Sequence, residues 1–297
     1  MKIRTLLVAV ALSVAFAGRA AETHADGIVR RVLENVAKIK AVDPAAVPMA
    51  FWDFDGTVIK GDVSVGCVRE DAPLLYSGLV KRVIEEGFAP MYDRKDGWDR
   101  FWRQDYPRFK EIGRWLAWPY LAQMVHGSDE RTLDAFCAAE YEKVYRKWYF
   151  ASSVKILRAL EKAGVENYVV SASPEIFVRN AAESLGLPRE RFRGMRVEIV
   201  AGYLTDRFVQ PVLNGEGKVE CVRELVLGRP HGVPVAAFGN SYSTDGDFLR
   251  YVATLPTLPG GAKGTAMMIN GGKTVPGYTE HFILVDQVET VDEASRD

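Results

Sequence analysis

The sequence of 297 residues contains few metal-binding or redox-active side chains, with only three cysteines and four histidines. It has no Cys-x-x-Cys pair and no group of histidines, so a zinc site is not indicated. No charge of one sign dominates either, because 38 basic residues face 39 acidic ones and no basic stripe interrupts that balance. We therefore expect no nucleic-acid partner. Internal repeats and low-complexity segments are also missing, and the composition is that of an ordinary globular protein.

The chain has one notable apolar run, and it is short. Lys2 and Arg4 precede the run over residues 6–17, and small residues follow it. This order is typical of a secretory signal peptide. A helix of the folded domain is the alternative, but the run has no polar face beyond Ser13. We expect residues 1–21 to be removed and the protein to be periplasmic or secreted. No later stretch approaches about 20 apolar residues, so we expect no membrane association afterwards.

The rest of the chain alternates between helical and strand patterns. The patterns predict helices over 26–40, 152–163, 174–185, 218–227 and 248–252. They predict strands over 49–52, 167–170, 196–200, 203–209, 233–238, 265–269 and 281–285. Such alternation indicates an α/β fold with a Rossmann-like core, in which helices cover both faces of a mostly parallel sheet.

One long segment interrupts this alternation. Residues 63–148 have helical patterning and many aromatic side chains, with no clear strand. We predict that they form an inserted helical cap on a core made of residues 22–62 and 149–297. Cys67 and Cys137 both fall in the insert, so they are the better pair if an exported protein forms one disulfide. Three buried free thiols, with Cys221, are an equal alternative.

The first cluster of polar residues follows a buried strand, at Asp53-Phe54-Asp55-Gly56-Thr57. Residues two apart in a strand point to the same side, so Asp53 and Asp55 can address one site. Two acids this close repel each other unless a cation or a shared proton intervenes, and oxygen ligands suit Mg²⁺. One carboxylate can attack phosphorus while the other delivers and removes a proton. A strand that merely ends in a tight Asp-Gly turn is the alternative.

Three further clusters follow later elements. Ser171 ends a strand and can help to bind an anion, whereas Ser173 reads better as an ordinary helix cap. Lys218 opens a helix and could hold a phosphate, although a solitary lysine is usually a solvated surface residue. Asn240 and Asp245 follow another strand, where their oxygens can complete a metal shell. The alternative is an acidic loop that caps the next helix.

Taken in this order, the four clusters resemble the motifs of the haloacid dehalogenase superfamily, in its phosphatase branch. That family has a strand ending in DxDx[TV], a strand ending in Ser or Thr, a Lys, and a strand ending in GDxxxD or GDxxxxD. The resemblance covers about residues 48–250. Asn240 departs from it, because the family usually has Asp there. Whether Asn240 or Asp245 is the main third metal ligand stays open, and we expect weaker metal binding than a fully acidic site gives.

The resemblance implies a mechanism and a cofactor. Asp53 would become an aspartyl phosphate, and Asp55 would protonate the leaving oxygen and then take a proton from water. Mg²⁺ would be held by the Asp53 carboxylate, the Asp55 backbone carbonyl and the cluster of Asn240 and Asp245. The phosphate oxygens would be held by Thr57, Ser171 and Lys218.

The position of the insert resembles the caps of phosphoserine phosphatases and bacterial phosphorylcholine phosphatases. Asp62 stands nine residues after Asp53, where phosphoserine phosphatases place a Glu that faces the substrate's amino group. Aromatic residues between 92 and 120 could bind a cationic head group, although pairs such as Trp98 and Trp102 have the spacing of a helical core. We expect a small phosphomonoester substrate, with phosphorylcholine the leading hypothesis. A phosphotransferase with the same nucleophile and a catalytically silent binding protein are the rivals.

Overall fold

The computed structural model describes residues 24–69, 72–256, 258–272, 275–277, 280–287 and 289–294. The predicted signal peptide, residues 1–21, lies outside these ranges. Within them, no helix combines the length and the apolar character needed to cross a membrane.

A seven-stranded sheet in the order β6-β5-β4-β1-β7-β8-β9 forms the centre of the molecule. Its strands are β1 (Val47–Trp52), β4 (Glu166–Pro174), β5 (Phe192–Val200), β6 (Tyr203–Val209), β7 (Gly232–Gly239), β8 (Thr265–Ile269) and β9 (Phe282–Val285). Neighbouring strands run parallel except β5 and β6, which form an antiparallel pair. The prediction of an α/β fold with a mostly parallel sheet is confirmed.

The central strands are apolar on both faces. Every residue of β1 after Val47 is buried, as is every residue of β7 after Gly232. Such unbroken burial is expected of strands that helices cover on both sides. The ring of Trp52 stacks on Phe238 of the adjacent strand at 3.5 Å between ring centroids. This packing fixes the carboxyl end of β1, where the first polar cluster begins.

Helices accompany the sheet and fill the insert. They are α1 (His24–Val42), α2 (Leu79–Glu85), α3 (Gly97–Arg100), α4 (Tyr106–Ile112), α5 (Arg114–Gln123), α6 (Glu130–Glu140), α7 (Ala151–Lys162), α8 (Glu175–Val178), α9 (Ala182–Leu185), α10 (Glu216–Gly228), α11 (Gly246–Ala253) and α12 (Val291–Ala294). The predicted helix over 174–185 is broken, because a 3₁₀ turn at Arg179–Ala181 separates α8 from α9. The left-handed Gly186 ends it as expected.

The insert is not purely helical. Strands β2 (Gly66–Arg69) and β3 (Ala72–Ser77) form an antiparallel pair there, separate from the main sheet. The prediction that residues 63–148 contain no strand was therefore wrong. Strands of four and six residues are too short to display a clear alternation of polar and apolar side chains.

The aromatic residues of the insert pack mainly on one another. Trp98 stacks on Trp102 at 5.3 Å between ring centroids, and Phe101 stacks on Tyr106 at 5.2 Å. Phe101 and Tyr106 are buried and belong to the insert's own core, whereas Trp98 is half-buried and Trp102 is exposed. All three cysteines are free and buried, which agrees with the second of the two alternatives for the thiols.

Candidate active site

A buried lysine joins two of the predicted clusters. The ammonium of Lys218 donates to Asp53 Oδ1 at 2.6 Å and to Asp245 Oδ1 at 2.7 Å. Lys218 lies in the first turns of α10 and is fully buried. Burial disfavours its charged form, but the carboxylates of Asp245 and Asp53 outweigh that effect and raise the pKa of Lys218. The alternative of a solvated surface lysine was wrong.

Asp53 is held from several sides. Its backbone N–H donates to Phe238 O at 2.8 Å, which continues the pairing of β1 with β7. Thr57 donates to the other carboxylate oxygen, Asp53 Oδ2, at 2.9 Å. Thr57 thus fixes the orientation of the Asp53 carboxylate. The contact of Thr57 with a phosphate oxygen stays a prediction.

The second acid of the motif faces a cluster of hydroxyl groups. Asp55 Oδ2 accepts from Ser173 Oγ at 2.6 Å and from Ser171 Oγ at 3.3 Å. Asp55 Oδ1 accepts from the Val63 N–H at 2.7 Å. The interpretation of Ser173 as a helix cap was wrong, because α8 begins beyond Pro174 without a side-chain cap. Ser171 and Ser173 lie two residues apart on β4, and residues two apart in a strand point to the same side. The argument that paired Asp53 with Asp55 therefore also predicts that Ser173 joins Ser171 at the site.

Asp62 lies close enough to Asp55 for its charge to act on that carboxyl, and its predicted contact with the substrate stays a prediction. Its Oδ1 accepts from the N–H groups of Ser64 and Val65, at 2.7 and 2.9 Å, which holds the carboxylate in a turn. Burial raises the pKa of Asp62, and the charge of Asp53 adds to that rise. Ser64 also bonds Ser173 at 2.7 Å, which connects the turn to the end of β4. No pattern in the sequence indicated Ser64.

The loop after β7 distinguishes the roles of Asn240 and Asp245. Asp245 Oδ2 accepts from the N–H groups of Asn240 and Ser241, each at 3.0 Å, and Oδ1 accepts from Lys218. Both of its oxygens are therefore engaged within the protein, and its carboxylate does not cap α11. The side-chain amide of Asn240 lies against Gly56, within 1.9 Å of where a Cβ on Gly56 would be. The Asn240 amide, with its Nδ2 atom nearest to Gly56, therefore lies beside the first cluster.

The site carries an excess of buried negative charge. Burial raises the pKa of Asp53 to about 7, and the Asp245 carboxylate adds to that rise while Lys218 opposes it. Burial and the Asp62 carboxylate also raise the pKa of Asp55 to about 7, against hydrogen bonds from Ser173 and Val63. One ammonium cannot neutralise four neighbouring acids, so protons or a further cation must compensate.

This donor chemistry fits Mg²⁺. Within the described residues, no three His, Cys, Asp or Glu side chains form a metal-binding group. Mg²⁺ is usually held by one or two carboxylates and keeps several waters. Asp53, the Asp55 carbonyl and Asn240 would supply hard oxygens of this kind, and the surplus negative charge favours a cation here. Asp245, also predicted as a ligand, accepts from Lys218, and its role as a ligand stays a prediction.

All the predicted site residues lie at the carboxyl ends of β1, β4 and β7 or beside them. Comparison with protein families adds the deciding observation, since the model of the haloacid dehalogenase-like hydrolases matches residues 50–250. The chain belongs to this family. The predictions of the superfamily and of a hydrolytic enzyme are confirmed. No curated protein matches the chain.

Solved structures agree on the fold of this family member. A protein of unknown function from Bordetella pertussis Tohama I has a TM-score of 0.61 at 16% identity, over 82% of this chain and 99% of that one. A conserved protein of unknown function from Anaerococcus prevotii DSM 20548 has a TM-score of 0.54 at 16% identity, over 82% of this chain and 85% of that one. Both likenesses concern the fold alone.

Proposed function

We propose that this hydrolase is an Mg²⁺-dependent phosphatase that cleaves a small phosphomonoester through an aspartyl phosphate on Asp53. The observation that carries the proposal is the position of Lys218 between Asp53 and Asp245, 2.6 and 2.7 Å away. A buried ammonium beside an oriented carboxylate provides the positive charge that a bound phosphate needs. Catalysis of this kind depends chiefly on positioning and charge stabilisation.

The first half of the reaction forms the covalent intermediate. An oxygen of Asp53 attacks phosphorus, the new O–P bond forms, and the bond from phosphorus to the ester oxygen breaks. Asp55 donates a proton to the departing oxygen, and its raised pKa of about 7 keeps that proton available near neutral pH. Lys218 and the hydroxyl of Ser171 bind the oxygens of the transferred phosphoryl group.

The second half regenerates the enzyme. Asp55, now ionised, takes a proton from water as that water attacks the phosphorus of the intermediate. The bond from phosphorus to the Asp53 oxygen breaks, and inorganic phosphate leaves. Bound Mg²⁺ would cancel part of the charge between the Asp53 carboxylate and the phosphate, which otherwise repel each other. Asp53, the Asp55 backbone carbonyl and Asn240 would hold the ion.

Replacing the nucleophile tests the proposal. Asp53→Asn keeps the size of the side chain and its packing, so we expect the fold to survive while hydrolysis of p-nitrophenyl phosphate is lost. Circular dichroism checks the fold, and released p-nitrophenol measures the rate with and without Mg²⁺. A variant that keeps about a tenth of the activity would remove Asp53 from the nucleophile's role, since loss of a covalent nucleophile normally costs several orders of magnitude.

For the substrate, we propose a phosphomonoester whose leaving group carries a cation, such as phosphorylcholine. Asp62 supplies a carboxylate beside Asp55, and Tyr106 of the cap lies within electrostatic range of both acids. An aromatic ring and a carboxylate together attract ammonium groups. Comparing kcat/KM for phosphorylcholine, phosphoserine and p-nitrophenyl phosphate tests this. Equal values for phosphorylcholine and p-nitrophenyl phosphate would argue against a cation-binding cap.

We also propose that the enzyme works outside the cytoplasm, in the periplasm or as a secreted protein. The basic and apolar start of the sequence supports this.

A further inference from the structure

Two of the contacts between the cap, residues 63–148, and the core differ greatly in strength. On one side, the turn between α5 and α6 pairs with the β5–β6 hairpin. Gly127 N–H donates to Leu204 O at 2.7 Å, Leu204 N–H donates to Ser128 O at 3.0 Å, and Glu130 N–H donates to Gly202 O at 2.9 Å. Three backbone hydrogen bonds in succession make this a firm attachment.

Ion pairs reinforce the same side. Arg179 of the core contacts Glu130 and Asp134 of α6 at 2.9 and 3.0 Å. Arg189 contacts Asp134 at 2.6 Å. Because backbone pairing and ion pairs coincide there, any opening of the cap is expected to leave this side in place.

Near the active site, Val63 and Ser64 at the start of the cap already bond Asp55 and Ser173 of the core, and the exposed side chain of Arg114 adds a separate bridge. Arg114 is the first residue of α5, and its Nη1 donates to Ser243 Oγ at 2.8 Å. Ser243 belongs to the loop after β7, residues 240–245, which we call the β7 loop. Both side chains are exposed, so this contact can break without uncovering buried surface.

The bridge continues into the catalytic centre. Ser243 Oγ lies 3.1 Å from Ser241 Oγ, and the N–H of Ser241 donates to Asp245 Oδ2 at 3.0 Å. Asp245 in turn holds Lys218. A continuous series of polar contacts therefore runs from the first turn of a cap helix to the lysine beside the nucleophile.

Arg114 also touches the part of the cap above Asp55. Its Cζ lies 5.2 Å from the centre of the Trp118 ring, and Trp118 hydrogen-bonds the hydroxyl of Tyr106. Burial raises the pKa of Tyr106, the charges of Asp62 and Asp55 add to the rise, and Arg114 opposes it. Arg114 thus contacts both the β7 loop and the aromatic pair of Trp118 and Tyr106, which lies near enough to Asp62 and Asp55 to feel their charge.

We propose that Arg114 is a positioning residue that acts through Ser243. It fixes the β7 loop and the first turn of α5 relative to each other in the arrangement that the reaction needs. This inference rests on the proposed phosphatase function. The competing outcome is a surface hydrogen bond that contributes nothing, as many exposed polar contacts do.

A double-mutant cycle tests the proposal with p-nitrophenyl phosphate as the substrate. We expect Arg114→Ala and Ser243→Ala each to lower kcat/KM about tenfold, the scale of one charge-assisted hydrogen bond. The double variant should fall no further than either single one, because both remove the same contact. Arg114→Lys should recover part of the loss. Additive losses, or no loss at all, would overturn the proposal.

Arg103→Ala is the matched control. Arg103 is another exposed arginine of the cap, and among the residues that the structure describes it pairs with Asp99 alone, at 3.4 Å. We expect its replacement to leave kcat/KM unchanged. An equal loss in Arg103→Ala would mean that cap charge in general, and not the contact with Ser243, causes the effect.

Amide hydrogen exchange provides a measurement that needs no turnover. In Arg114→Ala we expect faster exchange than in the wild type over residues 114–123 and 240–247, with residues 127–134 unchanged because the firm attachment persists. Unchanged exchange in the first two segments would overturn the proposal. If the wild-type protein hydrolyses no phosphomonoester, the proposed function fails, and exchange alone decides whether Arg114 fixes the loop.

Discussion

At the scale of single residues, Asp245 and Asn240 belong to one loop but have different contacts. Both carboxylate oxygens of Asp245 accept hydrogen bonds within the protein, whereas the amide of Asn240 lies against Gly56 of the first cluster. A neutral amide therefore stands where the family pattern has an acid. The site has correspondingly less charge with which to bind a divalent ion.

Restoring the acid is expected to strengthen metal binding. Asn240→Asp adds a carboxylate at nearly constant volume, so we expect Mg²⁺ to bind roughly tenfold more tightly. Isothermal titration of the purified protein with MgCl₂ measures this without a substrate. Asn240→Ala, which removes the oxygen ligand, should bind more weakly than the wild type. Unchanged affinity in both variants would place the metal away from Asn240.

At the scale of elements, the attachment of α6 to the core depends on Asp134. Burial raises the pKa of Asp134, but the hydrogen bonds and charges of Arg189 and Arg179 outweigh it, so the pKa lies below its ordinary value of 3.8. A carboxylate whose pKa is lower in the folded state stabilises the fold at pH values above its unfolded pKa. That stabilisation is lost as the pH falls through the folded pKa.

Removing this charge gives a pH-dependent loss of stability. At pH 7 we expect Asp134→Asn to lower the free energy of unfolding by about 1–3 kcal/mol, because two arginines lose a charged acceptor. Below about pH 4 the difference from the wild type should shrink, since the wild-type carboxyl is then protonated in the unfolded chain. Urea unfolding at both pH values measures it. A difference that grows on acidification would contradict the assignment.

The elements also explain how far the sequence could predict the structure. The runs of β1 and β7 were predictable because strands buried on both faces are apolar throughout. The antiparallel pair of β2 and β3 was not predicted, because its strands are too short to show a clear alternation of polar and apolar residues. The sequence around Lys218 does not distinguish it from a surface lysine. Lys218 and Asp53 are 165 residues apart in the sequence, and the fold brings them into contact. The resemblance to a family supplied what local patterns could not.

At the scale of the whole molecule, the insert is tied to the core by backbone pairing with the β5–β6 hairpin on one side and by the exposed contact of Arg114 with Ser243 on another. Leaving groups would enter beside Arg114 and Trp118, because the opposite side is tied to the β5–β6 hairpin. Caps of this kind exclude water and select the leaving group.

Export is testable on the full-length chain. We expect protein recovered outside the cytoplasm of a bacterial host to begin near residue 22, since small residues at 20 and 21 offer a cleavage site. Intact-mass spectrometry measures the start. Val10→Arg, which interrupts the apolar run, should leave the uncleaved chain in the cytoplasm. Recovery of the uncleaved wild-type chain in the exported fraction would argue against a cleavable signal.

The complete burial of Lys218 has a consequence for chemical labelling. Reagents that acylate amines reach solvent-facing lysines first, and the sheltered ammonium, engaged by two carboxylates, should react last. Mild acetylation is thus expected to change the surface charge of the enzyme while sparing its turnover. Inactivation should follow only when the reagent gains entry, so the rate of inactivation would report how often the interior becomes accessible.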